Sequence, residues 1–332
     1  MPILKKTEMK GFNRFDFFLQ KLNYSIQEAE KQEDPGWWLY KNDARTPVFM
    51  LEGLARLYNQ VHEDEDDIKK MKEDFKMLED AIGTVDYYDN LAKDLEKLPA
   101  IEKKYISFLH EKCKQKNRIL NELLIDRKWI SNKHNRIDRC REKLQKIDWK
   151  KEDEDMDVFR DYYRHEIKEV NDFIDSRNGK FTKLEEDVHE FRRKLRWLSI
   201  YPKALNGSIQ LSGNLEDKPE LEKYFSEEVI NSPYNRMPTG EGLDDILYLS
   251  KPDFFALSWM IAQTGKLKDQ GLNIYGLAEA IAETESLTEV DAVVRAMQSI
   301  GNNGEIINNL LRASSEIIIA YQQTKSLDHL IA

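Results

Sequence analysis

One predicted helix, residues 185–205, carries the side chains with the clearest capacity for chemistry. Its apolar residues step by three and four along the chain, so they form a stripe that would face a core: Val188, Phe191, Leu195 and Leu198. The neighbouring stripe is basic, and Arg193 flanks it: His189, Arg192, Arg196 and Lys203. Guanidinium groups keep their charge and offer a planar fork of donors that fits phosphate oxygens. The row therefore predicts an anion-binding site.

A second predicted helix, which begins near Thr46, adds two candidate residues to this site. Arg45 and Arg56 share one stripe of that helix, with Glu52 between them. The same basic residues also have a purely structural interpretation. In it, the arginines pair with acids on neighbouring helices, and His189 caps a buried hydrogen bond. The sequence leaves both interpretations open.

Other chemistries find little support in the sequence. Glu186 and His189 have the ExxH spacing of di-iron bundles, but those sites need the motif twice and two further glutamates. Nothing matches the usual zinc, redox, dinucleotide, phosphate-loop or serine-nucleophile motifs. We therefore predict a non-enzymatic protein with no catalytic residues, no metal and no cofactor.

Composition favours an all-helical protein and excludes some partners. Of the 332 residues, 34% are charged and only 14 are glycine and 9 proline, which suits long amphipathic helices better than a turn-rich β fold. The net charge of −10 makes general nucleic-acid binding unfavourable. Neither a signal peptide nor a membrane span is predicted. Cys113 and Cys140 have no metal or redox spacing, so we expect free thiols in the cytoplasm.

The predicted organisation is a bundle of long antiparallel helices in two pseudo-repeats. The most polar break, residues 149–156, divides the chain into halves 1–150 and 151–332, packed as one globular unit. Gly83 is expected to stop or bend one helix, and Gly265 and Gly271 to separate two others. Residues 243–249 are a helical candidate, and no stretch indicates a strand. The irregular segment 231–242 could be a lid, a partner site or an ordinary connection.

Charge is unevenly distributed along the first half. Residues 62–98 contain 13 acids and 6 lysines, whereas residues 112–146 contain 12 lysines and arginines and 4 acids. These blocks are candidates to face each other as complementary helices, and the alternative for the basic block is a solvated face.

Two segments resemble one known family. His189-Glu-Phe-Arg-Arg-Lys-Leu-Arg196 is similar to the helix that names the CHAD family, the conserved histidine α-helical domain. There, a histidine is followed three residues later by an arginine and then by a basic cluster. Residues 68–95 resemble another helix pair of that family, with residues 81–86 in place of its Leu-Gly-x-x-Arg-Asp segment.

This resemblance implies two helical repeats around a basic central channel that binds inorganic polyphosphate. It would cover most of residues 10–330 and assigns anion-binding roles to His189, Arg192 and Arg196. The other four candidates rest on helix geometry: Arg193, Lys203, Arg45 and Arg56. Val85 stands where members often carry arginine, and the strongly basic composition of polyphosphate binders is missing. The implied ligand is therefore polyphosphate or a smaller phosphate-containing anion.

Three functions are compared with the sequence. An anion-binding protein should place Arg192 and Arg196 in a cavity with few carboxylates. An interaction or scaffold protein, which binds a protein partner or associates with itself, should pair those arginines with the acidic block and expose an apolar patch. A hydrolase or transferase for phosphorylated substrates would need a carboxylate cluster for a metal, which the sequence does not supply.

Overall fold

The computed structural model describes residues 10–63, 65–131, 133–149, 152–240, 245–300 and 305–331. Apolar residues at helical spacing produce long helices, as the sequence predicts. In the first part of the chain these are α1 (Lys10–Glu30), α2 (Pro35–Lys41), α3 (Arg45–Val61), α4 (Asp66–Glu96), α5 (Lys103–Asp126) and α6 (Arg136–Leu144). They are followed by α7 (Glu152–Ser176), α8 (Glu190–Ala204), α9 (Glu227–Ile230), α10 (Lys251–Glu285), α11 (Glu289–Ser299) and α12 (Ile306–Gln323). The prediction of an all-α fold is confirmed.

Two predicted interruptions are absent. Helix α4 runs through Gly83, and α10 runs through Gly265 and Gly271, where two separate helices were predicted. A helical glycine costs only about 1 kcal/mol relative to alanine, which burial of the flanking apolar residues outweighs. Gly271 also has a packing role, because a Cβ atom there would lie 2.2 Å from Leu184 Cδ2.

A small parallel sheet corrects the prediction that the chain has no strand. Strand β1 (Ile209–Ser212) pairs with β2 (Leu247–Ser250), with Ile209 opposite Leu247. Part of the helical candidate 243–249 is therefore a strand, and its residues 243–244 lie outside the described residues. Leu247 and Leu249 are buried while Tyr248 is exposed, and so short an alternation gives a weak sequence signal.

The core joins elements from both predicted halves. Helix α3 packs against α1, α4, α7 and α8, and α10 packs against α4, α5, α8, α11 and α12. The proposed boundary at residues 150 and 151 lies outside the described residues. None of the described helices has the length and apolar character needed to cross a lipid bilayer.

Ion pairs connect the acidic and basic blocks of the first half. Lys143 on α6 pairs with Asp67 on α4 at 2.8 Å, and Arg136 pairs with Asp74 on the same two helices. Part of the basic block thus faces the acidic one.

Candidate anion-binding groove

Helices α4, α8 and α10 enclose a groove of about 810 Å³. Residues 80–94 of α4 form one wall, and residues 268–273 of α10 form another. Four of the basic residues singled out in the sequence line it together: Arg45, His189, Arg192 and Arg196. Because these residues come from α3 and from the 185–205 segment, the fold brings together positions that are about 150 residues apart in the chain.

A π-helical turn, Leu184–His189, leads into α8. Its wider hydrogen bonding is seen where the Val188 N–H donates to the Lys183 carbonyl, five residues earlier. The buried Asp187 carboxylate caps this turn by accepting from the N–H groups of Thr182 and Lys183 at 2.8 and 2.9 Å. Burial acts against ionisation of Asp187, but Arg177 and these N–H groups hold its carboxyl pKa below the usual range.

His189 stands where the π-helical turn meets α8 and lines the groove. Its Nδ1 atom lies 2.6 Å from Glu185 Oε2, one turn earlier. That contact holds the imidazole ring in place and lowers the pKa of the Glu185 carboxyl. His189 therefore does not cap a buried hydrogen bond, because both partners are substantially exposed.

Arg192 lies against a glycine of α10. Its Nε atom donates to the Ile261 carbonyl at 3.1 Å, and a Cβ atom on Gly265 would be 3.0 Å from that same nitrogen. The absence of a side chain at Gly265 therefore leaves space for the guanidinium. This role explains a glycine that the sequence suggested would interrupt the helix.

Arg45 is placed in the same way against α4. A Cβ atom on Gly83 would lie 2.5 Å from Arg45 Nη2. Unlike Arg192, Arg45 is paired: its Nε donates to Glu79 at 2.6 Å and its Nη1 to Asp86 at 3.2 Å. Burial raises the pKa of the Glu79 carboxyl, and Arg45 opposes that effect. Arg45 thus compensates a buried acid as well as lining the groove.

Arg192 and Arg196 differ from Arg45 because neither has a carboxylate partner in the described part of the chain. Among the described residues, no carboxylate lies within ion-pair distance of either one. Arg196 sits over the Phe49 ring, with its Cζ 4.7 Å from the ring centroid. Burial, together with repulsion from Arg192 and Arg45, lowers the pKa of Arg196 to about 10. Burial and Arg45 also lower the pKa of Arg192, although Asp269 acts in the opposite direction. Both half-buried groups would therefore gain from an anion.

The groove is more acidic than the anion hypothesis anticipated, since four aspartates line it. Each aspartate, however, already has a cationic partner. Asp86 pairs with Arg45, and the other three pair with a lysine nearby in the sequence: Asp80 with Lys76 at 2.6 Å, Asp94 with Lys97 at 2.7 Å, and Asp269 with Lys268 at 2.8 Å. None of these acids is within ion-pair distance of Arg192 or Arg196, although Asp269 partly opposes the lowering of the Arg192 pKa.

The remaining candidates lie outside the residues that line the groove. Arg56 pairs with the buried Glu52 at 2.9 Å and stacks over the Trp197 ring, 4.0 Å from its centroid. Arg193 makes two hydrogen bonds to Glu190, one turn earlier on the exposed side of α8. Lys203 donates to the Pro233 carbonyl at 3.2 Å. These three residues therefore have structural contacts, but Arg56 and Arg193 pair with acids of their own helices and not with acids of neighbouring helices, as the structural interpretation predicted.

Lys203 also shows what the described part of the segment 231–242 does. Besides that contact, the Asn235 side chain donates to the Val229 carbonyl, and Gln210 donates to the Pro238 carbonyl. These bonds connect residues 233–238 to α8, α9 and β1. Residues 241 and 242 lie outside the described residues.

Two further cations line the groove that the sequence did not single out, Lys116 of α5 and Lys268 of α10. Lys116 belongs to the basic block, but the sequence gave no sign of which of its residues turn toward α8. Tyr87 and Tyr88 also line the groove, and burial raises the pKa of both phenols, so they remain neutral donors.

Among the described residues, no three histidine, cysteine, aspartate or glutamate side chains lie close enough together to hold a metal ion. The single ExxH spacing is thus not completed in the fold. Comparison of this chain with family models, curated proteins and solved structures found no match. The groove is therefore interpreted from its own geometry.

Proposed function

We propose that this chain is a non-enzymatic, CHAD-like helical protein that binds a phosphate-containing anion in the groove between α4, α8 and α10. The proposal covers polyphosphate and smaller anions, and it places the protein in the cytoplasm. The cytoplasmic location is supported by Cys113 and Cys140, which are free and buried, because free thiols are typical of a reducing compartment.

One observation carries the proposal: Arg192 and Arg196 are half-buried, one turn apart on α8, and have no carboxylate within ion-pair distance among the described residues. Two like charges in such a place repel each other and lose part of their hydration. A bound anion would relieve both effects through charge-assisted hydrogen bonds. Lys116 and His189 line the same groove and can add donors to the anion.

The partner hypothesis is weaker on the same grounds. It required Arg192 and Arg196 to pair with the acidic block, and among the described residues neither lies within ion-pair distance of a carboxylate, whereas Arg45 pairs with Glu79 and Asp86 of that block. Exposed large apolar side chains lie on several elements of the described chain, among them Phe17 and Tyr24 on α1 and Val290 and Val294 on α11.

A titration of long-chain polyphosphate and of inorganic phosphate against the protein, followed by calorimetry, tests the proposal. We expect binding that weakens between about 50 and 200 mM salt. The double variant Arg192→Ala/Arg196→Ala should lose about 100-fold or more in affinity, because each charge-assisted hydrogen bond contributes roughly 1.5–3 kcal/mol.

The matched control is Arg193→Ala/Lys203→Ala, which removes the same charge from the same helix outside the groove. It should retain wild-type affinity within about twofold, since neither residue lines the site. Equal losses in the two variants would reduce the binding to a general charge effect. An absence of binding at low salt, with the protein still helical by circular dichroism, would overturn the proposed function.

A further inference from the structure

The basic block, residues 112–146, is only partly occupied by the ion pairs described above. Arg136 and Lys143 pair with acids of α4, Arg141 pairs with an acid of α1, and Lys116 lines the groove. Four cations at the turn between α5 and α6 have no carboxylate within ion-pair distance among the described residues: Arg127, Lys128, Lys133 and Arg139. We call these four residues the turn patch.

Hydrogen bonds to the backbone hold the turn patch together. The Arg136 N–H donates to the Lys128 carbonyl at 2.7 Å, and the Arg136 Nε atom donates to the Arg127 carbonyl at 2.6 Å. These two bonds fasten the first residue of α6 beside the end of α5. Lys133 and Arg139 each lie three residues from Arg136 in the chain. The four cations therefore belong to one region of the surface.

Lys128 occupies a backbone position that favours glycine. Its φ angle of 59° lies in the left-handed region, where the Cβ atom of other residues crowds the backbone. The adjacent Trp129 is buried, with its ring centroid 6.2 Å from that of Phe75 on α4, and so anchors the turn. The exposed Lys128 thus supplies a charge where backbone geometry alone would select glycine.

The acids near the turn patch do not neutralise it. Asp138 accepts from the N-cap backbone of α6, and Glu142 lies 3.2 Å from a histidine of the same turn. Arg118 and Glu122, further back on α5, balance each other in charge. Only Asp126 remains to offset the patch, so four cations against one acid leave a local excess of three positive charges.

An aliphatic side chain stands beside this charge. Ile125, two residues before Arg127, is 65% exposed, and Ile119 on the same helix is also exposed. Cations attract anionic headgroups, and an exposed aliphatic side chain can enter the boundary between headgroups and acyl chains. Single-stranded nucleic acid, in contrast, is held by cations together with exposed rings on which bases stack. Trp129 cannot serve as such a ring because it is buried.

We propose that the turn patch and Ile125 dock this protein on an anionic lipid surface. At physiological ionic strength, charges in solvent more than about 8 Å apart are largely screened from each other. The local excess of positive charge, rather than the net charge of −10, therefore decides what this surface attracts. The docking is peripheral and is independent of the anion-binding groove.

Cosedimentation with lipid vesicles tests the proposal. Vesicles of phosphatidylserine and phosphatidylcholine, mixed about 3:7, are compared with vesicles of phosphatidylcholine alone. We expect the protein to bind the anionic vesicles, with binding that weakens between about 50 and 200 mM salt, and not to bind the neutral ones.

The variant Arg127→Gln/Lys128→Gly/Lys133→Gln removes three charges, and its glycine suits the backbone of the turn. Each lysine or arginine near an anionic surface strengthens binding roughly fivefold, so this variant should bind on the order of 100-fold more weakly. The control Arg164→Gln/Lys168→Gln/Lys180→Gln removes the same charge from α7 and the residues that follow it. It should bind the vesicles as wild type does.

Two further variants separate the lipid surface from other occupants. Ile125→Ser should weaken vesicle binding severalfold and leave the weaker binding of a DNA oligonucleotide unchanged. Arg192→Ala/Arg196→Ala should bind vesicles as wild type does, because the groove takes no part in docking.

Several outcomes would overturn the inference. These are equal binding to neutral vesicles, no binding to anionic vesicles at low salt, an unchanged Ile125→Ser, or tighter binding of DNA than of vesicles. If the groove variant loses vesicle binding and the patch variant keeps it, the headgroup phosphates bind in the groove. That result would overturn the docking surface and support the proposed function.

Discussion

Two charged clusters border α4 in this protein, and they are built in opposite ways. The buried Asp89 carboxylate accepts from Tyr40, Lys41 and Lys93, each at 2.6 Å. Arg192 and Arg196, in contrast, face the α4 wall with no carboxylate within ion-pair distance among the described residues. Asp89 thus has three hydrogen-bond donors for one negative charge, whereas the two positive charges of Arg192 and Arg196 have no carboxylate partner among the described residues.

The pKa values show why this difference matters. Burial would raise the pKa of Asp89, but its three donors outweigh burial and hold the pKa at about 2. Burial lowers the pKa of Arg196 to about 10. Both pKa values move downward, yet a lower pKa favours the charged form of an acid and disfavours the charged form of a base. The Asp89 cluster therefore stabilises the fold, whereas the arginine pair costs stability and is available for binding.

The largest change in the free energy of unfolding is expected from a substitution of Asp89. Because its pKa is lowered on folding, its contribution is present above the unfolded value of 3.8 and is lost as pH falls through about 2. Asp89→Asn should lower the free energy of unfolding by about 2 kcal/mol near pH 6. That difference from wild type should shrink between about pH 4 and pH 2. Urea unfolding over this range, with the exposed Asp66→Asn as control, checks it. A loss that stays constant with pH would mean that Asp89 acts through packing rather than charge.

A substitution of Arg196 is expected to change the free energy of unfolding in the opposite direction, toward greater stability. Arg196→Met keeps a long side chain against Phe49 but removes the repulsion from Arg192 and Arg45. It should raise the free energy of unfolding by about 1 kcal/mol while abolishing anion binding, as is common where function opposes stability. Arg193→Met, the control, should stay within about 0.5 kcal/mol of wild type because its ion pair with Glu190 is exposed. Thermal unfolding without ligand measures both, and a destabilised Arg196→Met would show that the arginine is structurally satisfied.

The smallest effects on stability are expected at the two glycines beneath the arginines. Gly265→Ala should displace Arg192 and weaken anion binding severalfold. The free energy of unfolding should change little, because the helix preference of alanine, about 1 kcal/mol, offsets the cost of moving the Arg192 side chain. Gly83→Ala should displace Arg45 from the buried Glu79 and leave the protein less stable than Gly265→Ala does. Parallel titrations and thermal unfolding of the two variants distinguish them. If the two variants are equally stable, the ion pair of Arg45 with Glu79 contributes no more to stability than the unpaired Arg192 does.

Helical periodicity predicted most of this fold because it depends on neighbours three and four residues apart. The same reasoning placed Arg192 and Arg196 on one face, and the fold turns that face into the groove. It could not exclude Arg56, since a helical stripe does not reveal that Trp197 of another helix will cover it. Nor could it find Lys116 and Lys268, whose relevance depends on long-range packing.

The glycines and the strands show the same limit. Gly265 interrupts a pattern in the sequence, but its meaning depends on Arg192, which lies on a different helix. Strand β2 has four residues and pairs with β1. The paired residues Ile209 and Leu247 are 38 positions apart in the sequence. Such pairing is a tertiary property, so a local pattern of this length cannot distinguish a strand from one helical turn.

The π-helical turn before α8 also accommodates an extra residue without changing the direction in which its neighbours face. Its hydrogen bonds span five residues where those of an α-helix span four, so the turn holds one residue more than the corresponding stretch of α-helix. Deleting one residue here should therefore restore an α-helical turn while Leu184 keeps its place against Gly271. Such a deletion would act as a local shortening, and not as a twist between two parts of the molecule.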